Sequence, residues 1–99
     1  MNKQKVSKLL GLAQRAGKII SGEEMVVKAI QEQKAKLVFL AHDAAPNLTK
    51  KIQDKSHYYQ VEVVTVFSTL ELSIAVGKSR KVLAVTDAGF TKKMRSLME

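Results

Sequence analysis

A three-layer α/β/α sandwich built on a small, four-stranded mixed central sheet is the fold class this sequence predicts, and three observations predict it. Apolar runs of strand length alternate with segments whose apolar residues recur at helical spacing. Leu37–Ala41 and Val82–Val85 contain no polar residue, the pattern of strands covered on both faces. No repeat, low-complexity stretch or linker divides the 99 residues, and the only proline is Pro46, so residues 1–99 are expected to form a single domain.

In chain order, Val6, Leu9, Leu10, Ala13 and Ala16 share one helical side, with Lys8 and Arg15 opposite and Gly17 as the stop. Ile19-Ile20 is a short strand. A second helix places Met25, Val26, Ala29, Ile30 and Gln33 on its inner side and Glu24, Lys28 and Gln31 on its outer side. Ser21-Gly22-Glu23-Glu24 has the spacing of a capping box, serine at the N-cap and glutamate three residues on. The Leu37–Ala41 strand is followed by a helix over Asn47–Tyr58, and Val61–Val66 reads as a valine-rich strand. Ser68 and Glu71 form a second capping box at the head of a helix over Thr69–Val76. The Val82–Val85 strand leads, after Asp87, to a last helix carrying Phe90, Met94 and Leu97.

Composition narrows the function. Seventeen Lys+Arg against nine Asp+Glu give a net charge of +8, which favours a polyanionic partner, because each neutralised phosphate releases a counterion. Acids are absent before Glu23, so Lys3, Lys5, Lys8, Arg15 and Lys18 form an all-positive block; Lys78, Arg80, Lys81, Lys92, Lys93 and Arg95 form a second. There is no cysteine, and His42 and His57 are too scattered for a zinc site, so no metal or other cofactor is expected. No apolar run approaches the ~20 residues of a membrane span, and no apolar core follows Met1-Asn-Lys-Gln-Lys5, so the expected location is cytoplasmic.

Chemistry concentrates where the first strand meets the second helix. A glycine there lets an RNA backbone approach, and open N–H groups at a helix start bind phosphate. Glu23 and Glu24 would repel phosphate unless they face base edges, where a carboxylate accepts from amino groups. Lys28 and Lys36 are the phosphate contacts of this reading, with Lys18 and Ser21 at its rim. Phe67, just before the second capping box, is either a hydrophobic staple or core residue or, if exposed, a side chain that packs on an unstacked base. Two other readings stand beside it. Asp43 and Asp87 both follow strands, where α/β enzymes place phosphotransfer or metal chemistry, although each also fits a helix cap or turn. A basic face could also serve as a protein-interaction module for an acidic partner. Walker-type, Gly-x-Gly-x-x-Gly and Gly-x-Ser-x-Gly motifs are all absent.

Gly22-Glu-Glu-Met-Val-Val-Lys28-Ala-Ile, followed by Lys34-Ala-Lys36-Leu-Val-Phe-Leu-Ala-His-Asp43-Ala-Ala-Pro46, resembles the L-seven-Ae/L-thirty-e ribosomal-protein family, and most of all its small bacterial branch. The similarity extends over nearly the whole chain. It implies an α/β/α sandwich, no catalysis, no cofactor, and binding of kink-turn RNA, a sharply bent duplex with tandem sheared G·A pairs. The partners so implied are structured RNA, ribosomal or another kink-turn RNA, and the ribosome, met by a protein that is monomeric when free. The family's helix-start motif reads Gly-x-Asn-Glu-x-x-Lys. Gly22 and Lys28 match it, whereas Glu24 stands in place of Asn and Met25 in place of Glu. Its apolar loop is matched here to Val66, Phe67, Ser68 and Thr69, and ends Leu72-Ser73 where the family has Leu-Gly.

Overall fold

Those runs and repeats resolve into five helices and four strands in the computed structural model, which describes residues 1–99. The order is α1 (Lys3–Arg15), β1 (Ile19–Ser21), α2 (Glu23–Gln31), β2 (Leu37–Leu40), α3 (Pro46–Tyr58), β3 (Val63–Val64), α4 (Thr69–Val76), β4 (Val82–Val85) and α5 (Ala88–Met98). One mixed sheet holds the strands in the order β1-β4-β2-β3; β4 is antiparallel to β1 and β2, and β3 is parallel to β2. Ala84 stands opposite both Ile20 and Val38, which fixes the register of the three longer strands.

Every residue of β2 and β4 is buried, which explains why both runs are apolar without alternation. Successive side chains leave a strand on opposite faces. Leu37, Phe39, Leu83 and Val85 therefore pack under α1, α4 and α5, against Leu10, Leu72 and Met94. Val38, Leu40, Val82 and Ala84 pack the other way, against Val26 and Ile30 of α2 and Ile52 of α3. Burying one such aliphatic side chain contributes about 1.5–3 kcal/mol relative to leaving it exposed. On the first side α1 and α4 come close at Gly11, where a Cβ would stand 3.0 Å from the carbonyl oxygen of Ala75.

Several boundaries move for identifiable reasons. The first helix starts at Lys3, because the Asn2 side chain accepts from the Lys5 N–H and caps it. Pro46 occupies the first turn of α3, where its missing N–H costs nothing. The expected Val61–Val66 strand shrinks to Val63–Val64, paired only with β2, while the Val61 N–H closes the end of α3 on the Ser56 carbonyl. Ser21 is not the cap of α2. It is the last residue of β1, opposite Leu83, and Gly22 takes the cap position without a side-chain bond. Met25 and Gln33, expected on the inner side, are exposed. No helix is long and apolar enough to cross a membrane.

Candidate nucleic-acid interface

The topology gathers four turns at one end of the sheet. Backbone hydrogen bonds mark this rim: Gly22 N–H donates to the Val82 carbonyl (3.2 Å), Ala41 N–H to Lys81 (2.8 Å) and His42 N–H to Phe67 (2.9 Å). The start of α2, the α4–β4 loop, the β2–α3 loop and the start of α4 thus lie in a row. Three interstrand spacings put its two ends roughly 15 Å apart.

Gly22 adopts φ 94° and ψ 151°, backbone space that is essentially confined to glycine. No atom lies within 4 Å of where its Cβ would be, so the conformation, rather than crowding, demands glycine here. The first N–H of α2 to bond within the helix is that of Val26, to the Gly22 carbonyl. With no side-chain cap, the amides of Glu23, Glu24 and Met25 stand open at the positive end of the helix dipole. Glu23 is held by Lys51 of α3 at 3.0 Å. Glu24 and Lys28, four residues apart on the outer side of α2, make no ion pair and are both exposed.

Beside this helix start lies the α4–β4 loop. Arg80 donates through Nε to Ser21 Oγ at 2.8 Å and through Nη1 to the Ser79 carbonyl at 2.7 Å. Ser73 Oγ accepts from the Arg80 N–H at 3.0 Å and donates to its carbonyl at 3.3 Å, so the residue standing where the family has glycine anchors this loop. Ser21, Gly22, Asn47, Ser79, Arg80 and Lys81 line a cleft of about 510 Å³. From sequence, Arg80 and Lys81 were named only within the second basic group, and Ser79 and Asn47 were not expected at the site. The basic cluster after the Gly77 helix stop was visible, but nothing local says that β4 inserts between β1 and β2.

The Val66–Thr69 turn reaches the same rim at its far end, but its groups are largely occupied. Phe67 is 3% exposed, tilted against Phe39 at 5.9 Å between ring centroids, and covered by the Lys3 ammonium at 5.3 Å. It is a core residue, so the expectation that it packs on RNA bases is corrected. Ser68 and Glu71 do form the expected capping box, with bonds of 3.1 and 2.8 Å. Asp43 Oδ1 accepts from Thr69 N–H at 2.9 Å and Thr69 Oγ1 at 2.7 Å, tying the β2–α3 loop to α4. Only Val66 of the four presents an exposed apolar side chain.

These bonds lower two acid pKa values. The Thr69 hydroxyl and then its N–H hold Asp43 below its ordinary 3.8, and the Ser68 N–H, followed by Lys3, holds Glu71 below 4.5. A depressed folded-state pKa stabilises fully above the ordinary value and loses that contribution as pH falls through the folded one. Urea melts should therefore show stability dropping on acidification below those ordinary values. In Asp43→Asn the drop should be smaller, and an unchanged acid dependence would contradict the Thr69 assignment.

The opposite rim collects other expected site residues. The Lys18 carbonyl accepts from Thr86 N–H and Oγ1, and Lys36 N–H donates to the Val85 carbonyl. Lys36 is thus a strand length, about 16 Å, from the Gly22 rim. It and Lys18 do not join Gly22 in one contact patch. Asp87 lies at this far rim too, capping α5 through the Phe90 N–H at 2.8 Å. Because β2 and β4 are antiparallel, Asp43 and Asp87 fall at opposite ends of the sheet, which removes the joint metal or phosphotransfer site.

Fold and rim define a class: a small α/β/α sandwich whose sheet end sets a glycine-started helix beside a basic loop. Residues 4–95 match the family model of the Ribosomal protein L7Ae/L30e/S12e/Gadd45 family, and the chain belongs to that family. The RNA-binding protein YlxQ of Enterococcus faecium is 49% identical over 98 residues, 99% of this chain and 95% of that protein. A structure of a protein with unknown function from Bacillus halodurans C superposes with a TM-score of 0.90 at 44% identity, covering 95% of this chain and 96% of that one. The Giardia lamblia 15.5kD RNA binding protein superposes with a TM-score of 0.83 at 18% identity, covering 95% of this chain and 82% of that one, a likeness of fold.

Proposed function

We propose that this protein is an RNA-binding protein, acting by binding and not by catalysis, with a kink-turn-like bent duplex as its preferred ligand. The reading rests on one observation: the open start of α2 and the basic α4–β4 loop meet at a single cleft, in a member of a family whose E. faecium relative is named RNA-binding. Gly22 admits the RNA backbone, the open amides and Lys28 take phosphates, and Glu24 accepts from base amino groups. Arg80 and Lys81 add phosphate contacts that the expected set lacked. Ser21 orients Arg80, and Glu23 with Lys51 braces the helix start. Val66 is the remaining apolar contact from the far end of the row, and Ser68, Thr69 and Asp43 shape that end. A regular A-form duplex would hide its base edges in a deep, narrow groove, whereas a bent one with unpaired bases exposes them. Ribosomal RNA in the cytoplasm, met by a monomer, is the setting this proposal favours.

The test is a titration of a kink-turn RNA against a straight duplex of equal length over several salt concentrations. Lys28→Ala and Arg80→Ala should weaken both RNAs and reduce the salt slope by roughly one unit each, while Glu24→Ala should cost ~1–3 kcal/mol for the bent RNA alone. Equal affinity for both RNAs, with all three variants unchanged, leaves only nonspecific charge and ends the proposal.

A further inference from the structure

The first core layer has a second surface that the RNA rim does not use. α4 reads Thr69-Leu-Glu-Leu-Ser-Ile-Ala-Val76 and carries apolar side chains on two sides: Leu72 and Val76 are buried, while Leu70 and Ile74 are 68% and 71% exposed. An exposed apolar pair one turn apart, on a helix whose other apolar side is already buried, leaves a face without a partner. Leu12 of α1, 50% exposed, lines a groove together with Ile74, so Leu70, Ile74 and Leu12 make one ridge across α4 and α1. Grooves of about 420 and 380 Å³ flank Ile74 on either side, floored by Ser7 and Lys8. Single exposed leucines are ordinary, but a contiguous line flanked by grooves marks a contact surface.

Charge identifies the occupant. α1 has no acidic residue, and Lys8 and Arg15 border the groove without an ion-pair partner. The one acid beside it, Glu71, is spent on Lys3 and on the Ser68 cap. A second copy docked through the same patch would set Lys8 and Arg15 against like charges. A phosphate backbone would satisfy the cations and leave Leu12, Leu70 and Ile74 facing water. We infer that the α1–α4 face docks an acidic, amphipathic helix of a partner protein, its apolar stripe on the Leu70–Ile74–Leu12 ridge and its carboxylates toward Lys8 and Arg15. Leu70 and Ile74 lie one turn apart, the pitch at which a helix offers its own i, i+4 and i+7 side chains. α1 and α4 share the layer opposite α2, so such a partner and a ligand at the Gly22 rim can be held together.

The experiment titrates the full chain, isotope-labelled for NMR, with an acidic helical peptide of roughly 15 residues carrying leucines at i, i+4, i+7 and i+11. Two further peptides are compared: the same composition with the leucines scattered round the helix, and a lysine-for-glutamate version. Saturable shifts at Leu12, Leu70, Ile74, Lys8 and Arg15 are expected with the first peptide alone. Ile74→Asp and Leu70→Ser should each weaken it by at least about tenfold while the melting temperature stays near the parent's, and Tyr58→Ser, on an exposed residue of α3, should not. Equal binding of the scattered or lysine peptide overturns the proposal, as does absence of binding. It is also overturned if the same amides shift on dilution without peptide, which would mean self-association, or on adding kink-turn RNA, which would make the face part of the RNA interface.

Discussion

Phe67→Ala loses about 3–5 kcal/mol of stability, the cost of truncating a buried aromatic whose cavity only partly collapses. Domains of this size are stable by roughly 5–15 kcal/mol, and each kcal/mol lost shifts the melting temperature by roughly 4–8 °C, so the variant melts far below the parent or fails to fold. The cause is the Phe39–Phe67 contact beneath Lys3, within a buried cluster that also holds Val64, Leu72 and Met94. Phe67→Leu separates core from contact, because it removes the aromatic ring but keeps a large apolar side chain in the cluster, so it empties less volume and costs less stability than alanine. That variant should bind RNA as the parent does. A Phe67→Ala protein that melts normally but loses RNA would instead return Phe67 to the interface.

Gly22→Ala carries the second large effect, and it strikes stability and binding together. An L side chain at φ 94° and ψ 151° is strained by about 1–3 kcal/mol, and the open space round the missing Cβ offers no contact in return. To relax, the chain must rotate the turn between β1 and α2, which moves the Glu23–Met25 amides and pulls Ser21 from Arg80. Thermal melts should show the strain, and RNA affinity of the folded variant should fall by more than Lys28→Ala alone. Unchanged affinity would place the RNA away from the helix start.

The contrast between two identical local patterns shows what the sequence could and could not carry. Ser21-x-x-Glu24 and Ser68-x-x-Glu71 have the same spacing, yet only the second forms a capping box. Ser68 sits in an unpaired turn where its hydroxyl is free to cap. Ser21 is claimed by pairing with Leu83 and by Arg80, partners about sixty residues away in the chain. Where an unbroken apolar run marks a strand, as along Val82–Val85, or a capping box and a glycine stop mark a helix, as at α4, the elements were legible to the residue. The Val66–Thr69 turn was legible as a helix start but not as a tethered one, since Asp43 reaches Thr69 across the rim. Lys36 looked close to Gly22 because both flank one helix; the direction of β2 sends it to the other end.

The cleft formed by Gly22, Asn47 and Arg80 exists only while β4 lies between β1 and β2. An unfolded chain has basic segments but no assembled cleft, so a ligand specific for the cleft is also a ligand of the native state. At a free concentration near 100 times its Kd, such a ligand adds about 2.7 kcal/mol to the folding free energy. A peptide spanning only β1 and α2 would keep Gly22 and Lys28 and yet show no preference between bent and straight RNA. Under the proposed function, selectivity and folding are linked equilibria, and cognate RNA would raise the melting temperature.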